Sequence, residues 1–311
     1  MANYCFGIDL GGTTVKMGLF NISGEVVDKW EIPTRKEDSG SKILPDIAKA
    51  VLDKLEEKKI EKSDVAGIGI GLPGPIENES VCHKAVNLGW KEDVQVKAEM
   101  EKLTGIETKA GNDANVAALG EMWKGGGQGF NSIVMVTLGT GVGGGIIIDG
   151  KILSGATGAG GEIGHLHIND EETEACGCGN LGCLEQYASA TGIVRLANKR
   201  LAKDAAESVL RNEEVSAKSI FDAVKAGDEV AKEIAVSYGD YLGKGMAIIG
   251  SVINPQAFVI GGGVSKAGEI LFDYIVEPYK ANVFHGSRDA KILLATLGND
   301  AGIYGAAKLV L

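Results

Sequence analysis

Three thiols crowd one short glycine-rich stretch, Cys176-Gly-Cys178-Gly-Asn-Leu-Gly-Cys183. Zinc takes four tetrahedral nitrogen or sulfur ligands. His165, a little upstream, is the obvious fourth ligand, and His167 competes for the place. A closed Cys₃His site has no open position, so it would be structural rather than catalytic. The alternative is three free thiols on a turn, which would be redox-labile. Cys5 and Cys82 complete an odd count of 5, which does not read as a disulfide framework.

Two glycine-threonine turns follow apolar runs: Asp9-Leu-Gly11-Gly12-Thr13 and Thr137-Leu-Gly139-Thr140-Gly141. Bare backbone N–H groups in such turns can cradle phosphate oxygens. The threonine hydroxyls add donors, and Asp9 can hold Mg²⁺, usually through water. Together the turns would grip a polyphosphate from two sides; the plainer alternative is a pair of tight hairpins that bind nothing. Gly69 to Gly74 and Gly139 to Gly144 both fit G-x-G-x-x-G. A dinucleotide fold needs a helix directly after the glycines. Pro75 follows the first and the strand-like Ile146-Ile-Ile148 the second, so a nicotinamide enzyme is disfavoured. No G-x-x-x-x-G-K-[ST] run is present, which excludes a P-loop.

Asn112-Asp113 stands just before an alanine-rich helical stretch. Asp113 reads either as a helix N-cap or as the carboxylate that takes a proton from an attacking hydroxyl. Glu162, His165 and Glu185 flank the thiol cluster, and their groups suit a ring of vicinal hydroxyls. Glu185 reads otherwise as a first-turn helix acid and Glu162 as a solvated loop acid.

These residues need elements to hold them. Strands are predicted over 4–9, 15–20 and 26–32, and a helix over 42–59, where Ile43, Ile47, Val51 and Leu55 recur at helical spacing. A strand over 65–71 stops at Leu72-Pro-Gly74-Pro75. Beyond it come a helix over 94–104, a strand over 107–110 and a helix over 114–123. Strands over 132–138 and 146–149, with a turn at Asp149-Gly150, follow. Helices are then read over 184–203, 219–226 and 229–253, a strand over 257–260, another over 292–296, and a last helix over 301–311. Strand, glycine-threonine turn and strand recur at residues 8–20 and 136–148, which suggests two related α/β halves. The boundary is placed near Asn112: a small domain over 1–112, rejoined by a helix over 301–311, and a large one over 113–300. A phosphate-bearing ligand would sit in the cleft of the two lobes.

Glycine makes up 46 of 311 residues while proline is only 6; with 44% hydrophobic and 23% charged residues this is no disordered linker. The net charge of −11 argues against nucleic acid or an anionic membrane as partner. No apolar run is long enough to span a bilayer, and residues 1–10 lack a basic stretch and contain Asp9, so no signal peptide is read. The expected location is cytoplasmic.

Over essentially the whole chain these motifs resemble the ROK family of sugar kinases and repressors. The zinc signature from Cys176 to Ser189 carries most of the resemblance, with Glu162-x-Gly-His165, Asp9-x-Gly-Gly-Thr13 and the 138–145 loop. The resemblance implies the α/β actin-like, ribonuclease-H-like two-lobe ATPase fold, with the last helix returning to the N-terminal lobe. It makes Asp113 the catalytic base first and a cap second. It assigns Asn112, Glu162, His165 and Glu185 to a hexose, with Gly74 and Asn87 as further contacts. It also places Gly261, Gly262 and Gly263 by the adenosine of ATP. The implied activity is ATP-dependent phosphorylation of the 6-hydroxyl of glucose, with Mg²⁺ and a structural Zn²⁺; the scaffold also serves N-acetylated hexosamines, mannose and fructose. A non-catalytic sugar sensor is the alternative outside enzymes. Family repressors carry a helix-turn-helix ahead of the kinase-like part, and the few residues before the first strand leave no room for one. A homodimer is expected from the family alone.

Overall fold

The computed structural model describes residues 2–311. Strands β1 (Tyr4–Leu10), β2 (Thr14–Asn21) and β3 (Val26–Pro33) form an antiparallel meander. After a single turn, α1 (Glu37–Gly40), the helix α2 (Ile43–Lys58) buries Ile43, Ile47, Val51 and Leu55 on one stripe, as the 3.6-residue period requires. β4 (Val65–Leu72) lies parallel to β1. Short strands β5 (Ile76–Glu77), β6 (Val81–Cys82) and β7 (Val94–Gln95) make a small separate sheet. Helix α3 (Val96–Thr104) then leads into β8 (Thr108–Asn112), parallel to β4, and α4 (Asp113–Lys124) follows without a loop. The resulting sheet has the order β3-β2-β1-β4-β8.

A second hairpin of the same design joins β9 (Ile133–Leu138) to β10 (Val142–Ile148), and β11 (Lys151–Ile152) turns back on β10. The strand expected from Ile146 begins at Val142 and contains Gly143, Gly144 and Gly145. A Cβ at Gly145 would lie 2.5 Å from that of Ala118, so α4 rests directly on the strand. Gly145 thus makes room for a helix rather than for a loop.

The helix expected over 184–203 is two: α5 (Glu185–Ala188) and α6 (Ala190–Lys203). Ser189 between them is extended, and its hydroxyl caps α6 by accepting the Gly192 N–H at 2.9 Å. Helices α7 (Ala217–Lys225) and α8 (Glu229–Ile253) lead to β12 (Ala257–Gly261). Helix α9 (Phe272–Asn282), absent from the sequence reading, carries Pro278 in its interior and packs on α8. β13 (Lys291–Leu294) pairs parallel with β12, which pairs parallel with β9. The second sheet has the order β11-β10-β9-β12-β13. Last comes α10 (Ala301–Leu309).

Two compact units result. The first comprises Met1–Asn131, Gly145–Gly161 and Leu297–Leu311; the second Ser132–Gly144 and Glu162–Thr296. The division does not fall at Asn112, because α4 belongs with the first unit. Helix α10 packs there on α4, β1 and β4. Gly305 of α10 stands against the carbonyl of Val116, and Gly7 of β1 against that of Ile303; side chains at either glycine would drive the elements apart. Among the described residues, no helix is long and apolar enough to cross a membrane.

Candidate active site and metal centre

In the first unit, the turn between β1 and β2 lines a cavity of about 610 Å³. Asp9, Gly11, Gly12 and Thr13 form one wall; Asn87 and Asp113 also line it. Thr34, the residue after β3, braces the turn: its hydroxyl donates to the Gly11 carbonyl at 2.7 Å, and its N–H donates to the Thr13 carbonyl at 2.9 Å. Asp9 is held from behind by Gly302 of α10, where a Cβ would come within 2.7 Å of its carboxyl carbon. Burial pushes the Asp9 carboxyl above the usual range, against the pull of Lys16 at 3.9 Å, and the nearby Asp113 adds to the rise. Two carboxylates facing one cavity form a donor set that fits a hydrated cation. Lys36 also lines this cavity, and neither it, Lys16 nor Gly302 was picked out from the sequence, since none lies in a motif.

Asn112, not Asp113, caps α4. Its Oδ1 accepts the N–H groups of Ala114 at 3.1 Å and Asn115 at 3.2 Å. Its Nδ2 donates to the Gly74 carbonyl at 3.2 Å. Gly74 itself holds φ at +110°, a conformation that favours glycine, and it supports Asn112 from outside the cavity wall. Asp113 is exposed; its carboxylate accepts only the adjacent Ala114 N–H, at 2.8 Å.

In the second unit the thiol cluster closes. Ligand atoms of His165, Cys176, Cys178 and Cys183 all lie within 4.8 Å of one another. Cys178 Sγ is 3.7 Å from Cys183 Sγ, and Cys176 Sγ is 3.8 Å from His165 Nδ1. A tetrahedron with metal–sulfur bonds of about 2.3 Å has edges of about 3.8 Å, so this donor set fits such an ion. His167 is excluded as a ligand. Its Nδ1 is engaged by the Leu181 carbonyl at 2.8 Å and its Nε2 by Asp170 at 2.7 Å. As a bare thiol, Cys176 is pushed up to about 12, chiefly by burial. A bound cation is what would hold it as thiolate.

The cluster also positions Glu185. Its Oε1 lies 2.9 Å from Cys176 Sγ and 3.7 Å from His165 Nδ1. Its Oε2 accepts the Val142 N–H at 3.4 Å, beside the second glycine-threonine turn. A Cβ at Gly141 would sit 2.5 Å from Oε2, so a side chain there would displace the Glu185 carboxylate. α6 holds the same turn: Ala190 N–H donates to the Gly139 carbonyl at 2.8 Å and the Thr191 hydroxyl to that of Thr140 at 2.7 Å. After β12, Gly262 has φ of +85° and packs on the Leu138 carbonyl, with Gly261 and Gly263 on either side. Glu162 is exposed at the head of the turn Ile163–His165.

A buried ion pair braces the whole knuckle. Arg195 of α6 meets Glu172 at 2.6 Å and Glu174 at 3.0 Å. Tyr187 donates its hydroxyl to Glu172 as well, and Glu172 accepts the N–H groups of Thr173 and Glu174, both at 2.9 Å. Gln186 accepts the Cys183 N–H at 3.0 Å and donates to the Glu174 carbonyl at 2.8 Å. The loop bearing Cys176 is thereby fastened to α5 and α6. Glu172 and Arg195 lie 23 residues apart and in no motif, so no local pattern marks this brace.

The sheet orders, repeated hairpin and glycine-threonine turns define an actin-like, ribonuclease-H-like α/β fold of the sugar-kinase type. The ROK family model matches residues 5–311, and the chain belongs to that family. A glucokinase of Halalkalibacterium halodurans is 44% identical over 310 residues, covering 98% of this chain and 94% of its own. The ROK hexokinase structure from Thermus thermophilus superposes with a TM-score of 0.80 at 32% identity, covering 98% of this chain and 96% of its own. A ROK glucokinase from Streptomyces griseus, solved with glucose and AMPPNP, gives 0.72 at 34%, covering 98% of each chain.

Proposed function

We propose that this chain is an ATP-dependent glucokinase that phosphorylates the 6-hydroxyl of glucose. The observation that carries the reading is the shared cavity of the first unit, where Asp9, the Gly11-Gly12-Thr13 turn and an uncapping, exposed Asp113 face the same space. Similarity at 44% identity to a glucokinase over nearly the full length supports glucose as the sugar.

Asp113 acts as general base. It orients the attacking hydroxyl by a hydrogen bond and takes its proton as the sugar oxygen bonds to the γ-phosphorus and the bond from that phosphorus to the β-phosphate oxygen breaks, ADP leaving. Asn112, Glu162, His165 and Glu185 hold the sugar hydroxyls, with Asn87 and Gly74 supporting. Backbone N–H groups of Gly11, Gly12, Thr13, Thr140 and Gly141 bind the phosphates, and Gly261 to Gly263 take the adenosine side. Asp9 holds Mg²⁺, which when bound supplies neutralising charge to the phosphates. His165, Cys176, Cys178 and Cys183 hold a structural Zn²⁺ that fixes the orientation of His165 and Glu185. Cytoplasmic location and a homodimer belong to the same reading.

A coupled ADP-release assay over a panel of hexoses tests it. The expected result is the highest kcat/KM on glucose with ATP. A higher value on an N-acetylated hexosamine, or no turnover of any hexose, overturns it.

A further inference from the structure

The loop that brings Asn87 to the cavity of the first unit leaves the small sheet at His83 and returns to it after Asp93. β6 and β7 pair Val81 with Gln95 and Cys82 with Val94, so His83 and Asp93 are the next positions of that register and close the neck of the loop. His83 Nδ1 lies 2.9 Å from an Asp93 carboxylate oxygen, and Nε2 lies 2.9 Å from one of Glu77 on β5. A neutral imidazole has one N–H and one lone pair, so only the protonated ring donates to both carboxylates. The neutral ring turns its lone pair toward one of them. The His83 backbone N–H also donates to the Pro75 carbonyl at 3.0 Å, beside Gly74, whose carbonyl accepts from Asn112. Farther out, the Ala85 carbonyl accepts the N–H groups of Leu88 at 2.9 Å and Trp90 at 3.1 Å, and both side chains are buried. A Cβ at Gly12 would lie 3.4 Å from the Asn87 carbonyl oxygen, so the loop rests on the glycine turn after β1.

We infer that His83 is a positioning residue of the proposed sugar site: its protonated ring clasps the neck of the Asn87 loop, so glucose binds more tightly while the ring is charged. This rests on the kinase reading, in which Asn87 supports the sugar. The groups that face the ring are Glu77 from β5 and Asp93 ahead of β7, and Lys84, next in the chain, is exposed. Cys82, its other neighbour, is pushed up to about 11, chiefly by burial, and stays neutral. Asp93 first, then Glu77, hold the imidazole above its ordinary 6.5. The contribution to binding is therefore present below 6.5 and is lost as pH rises through the raised value.

Calorimetric titration with glucose between about pH 6 and about pH 9 tests the clasp. The Kd of the wild type is expected to rise at least about threefold across this range, the scale of a partly exposed ion pair. His83→Gln is expected to bind at the weaker level throughout, with kcat little changed. Its fold is kept by Leu88 and Trp90, which anchor the loop without the ring. Asp93→Asn removes the stronger of the two acids, so the midpoint of the Kd curve is expected to move to lower pH, which a merely structural contact would not do. The other ionisable groups are common to all three proteins, so differences between the curves isolate His83. Parallel curves for wild type and His83→Gln, or a midpoint that Asp93→Asn leaves in place, overturn the inference while glucose remains the ligand. Absence of glucose binding at every pH overturns the proposed function and this inference with it.

Discussion

The amide of Asn112 caps α4 and leaves the carboxylate of Asp113, one residue on, exposed beside it. On the proposed reading these neighbours divide two tasks, the cap to Asn112 and the base to Asp113. Asp113→Asn is expected to lower kcat by about 10²- to 10⁴-fold with little change in sugar affinity or thermal stability. Asn112→Ala is expected to cost about 1 kcal/mol of stability through the lost cap. Steady-state kinetics and thermal denaturation of the two variants check the division; near-normal kcat in Asp113→Asn would remove it from the chemistry.

Gly141→Ala places a methyl against Glu185 Oε2. The expected outcome is a displaced Glu185, a KM for glucose raised about tenfold and a smaller change in kcat. Glucose titration followed by tryptophan fluorescence provides the check. Unchanged affinity would mean that Glu185 does not touch the sugar.

Native protein is expected to contain one Zn²⁺ per chain, and Cys178→Ser to lose it. Cys178 is exposed, so its removal leaves the packed core intact. Metal analysis by mass spectrometry reads the first outcome. Thermal melts with and without chelator read the second, since a structural metal contributes to folding. Absence of zinc from native protein would refute the assignment.

The Glu172–Arg195 pair predicts an acid-sensitive knuckle. Arg195 and the Tyr187 hydroxyl hold the Glu172 carboxyl well below its ordinary 4.5. A depressed carboxylate stabilises fully above its unfolded pKa, and that contribution is lost as pH falls from about 4.5 toward the folded value. Arg195→Met is expected to cost about 3 kcal/mol at neutral pH, because it leaves a buried charge unpaired. Its stability should then fall less steeply below pH 4.5 than that of the wild type. Urea unfolding at a series of pH values decides this; parallel pH profiles would mean that the pair does not couple to folding.

How much the sequence disclosed follows the range of the contacts. The thiol spacing Cys176, Cys178 and Cys183 is local, so the candidate metal centre was legible; the choice of His165 over His167 depends on the hydrogen bonds that occupy both His167 nitrogens. The strands of both hairpins and α2 were legible from their periodicity. Helix α9 was hidden by Pro278, and the start of β10 by a glycine run in which Gly145 makes room for α4 rather than for a turn. The choice of Asn112 over Asp113 as cap depends on side-chain direction, which residue type does not reveal. The Arg195 brace and the support of Asp9 by Gly302 join segments distant in the chain, where no single-sequence pattern marks a partner.

The seating of α10 on β1 has a consequence for biosynthesis. Ile303 and Ala307 complete the small apolar cluster that buries Cys5 and Phe20. Strands β1 and β2 must therefore keep one face uncovered until α10 emerges from the ribosome, roughly half a minute after them at about 10 residues per second. The second unit, whose residues all precede α10, can be complete while the first still waits. Ribosome-bound chains arrested before residue 297 would thus be the form of this protein most in need of a chaperone.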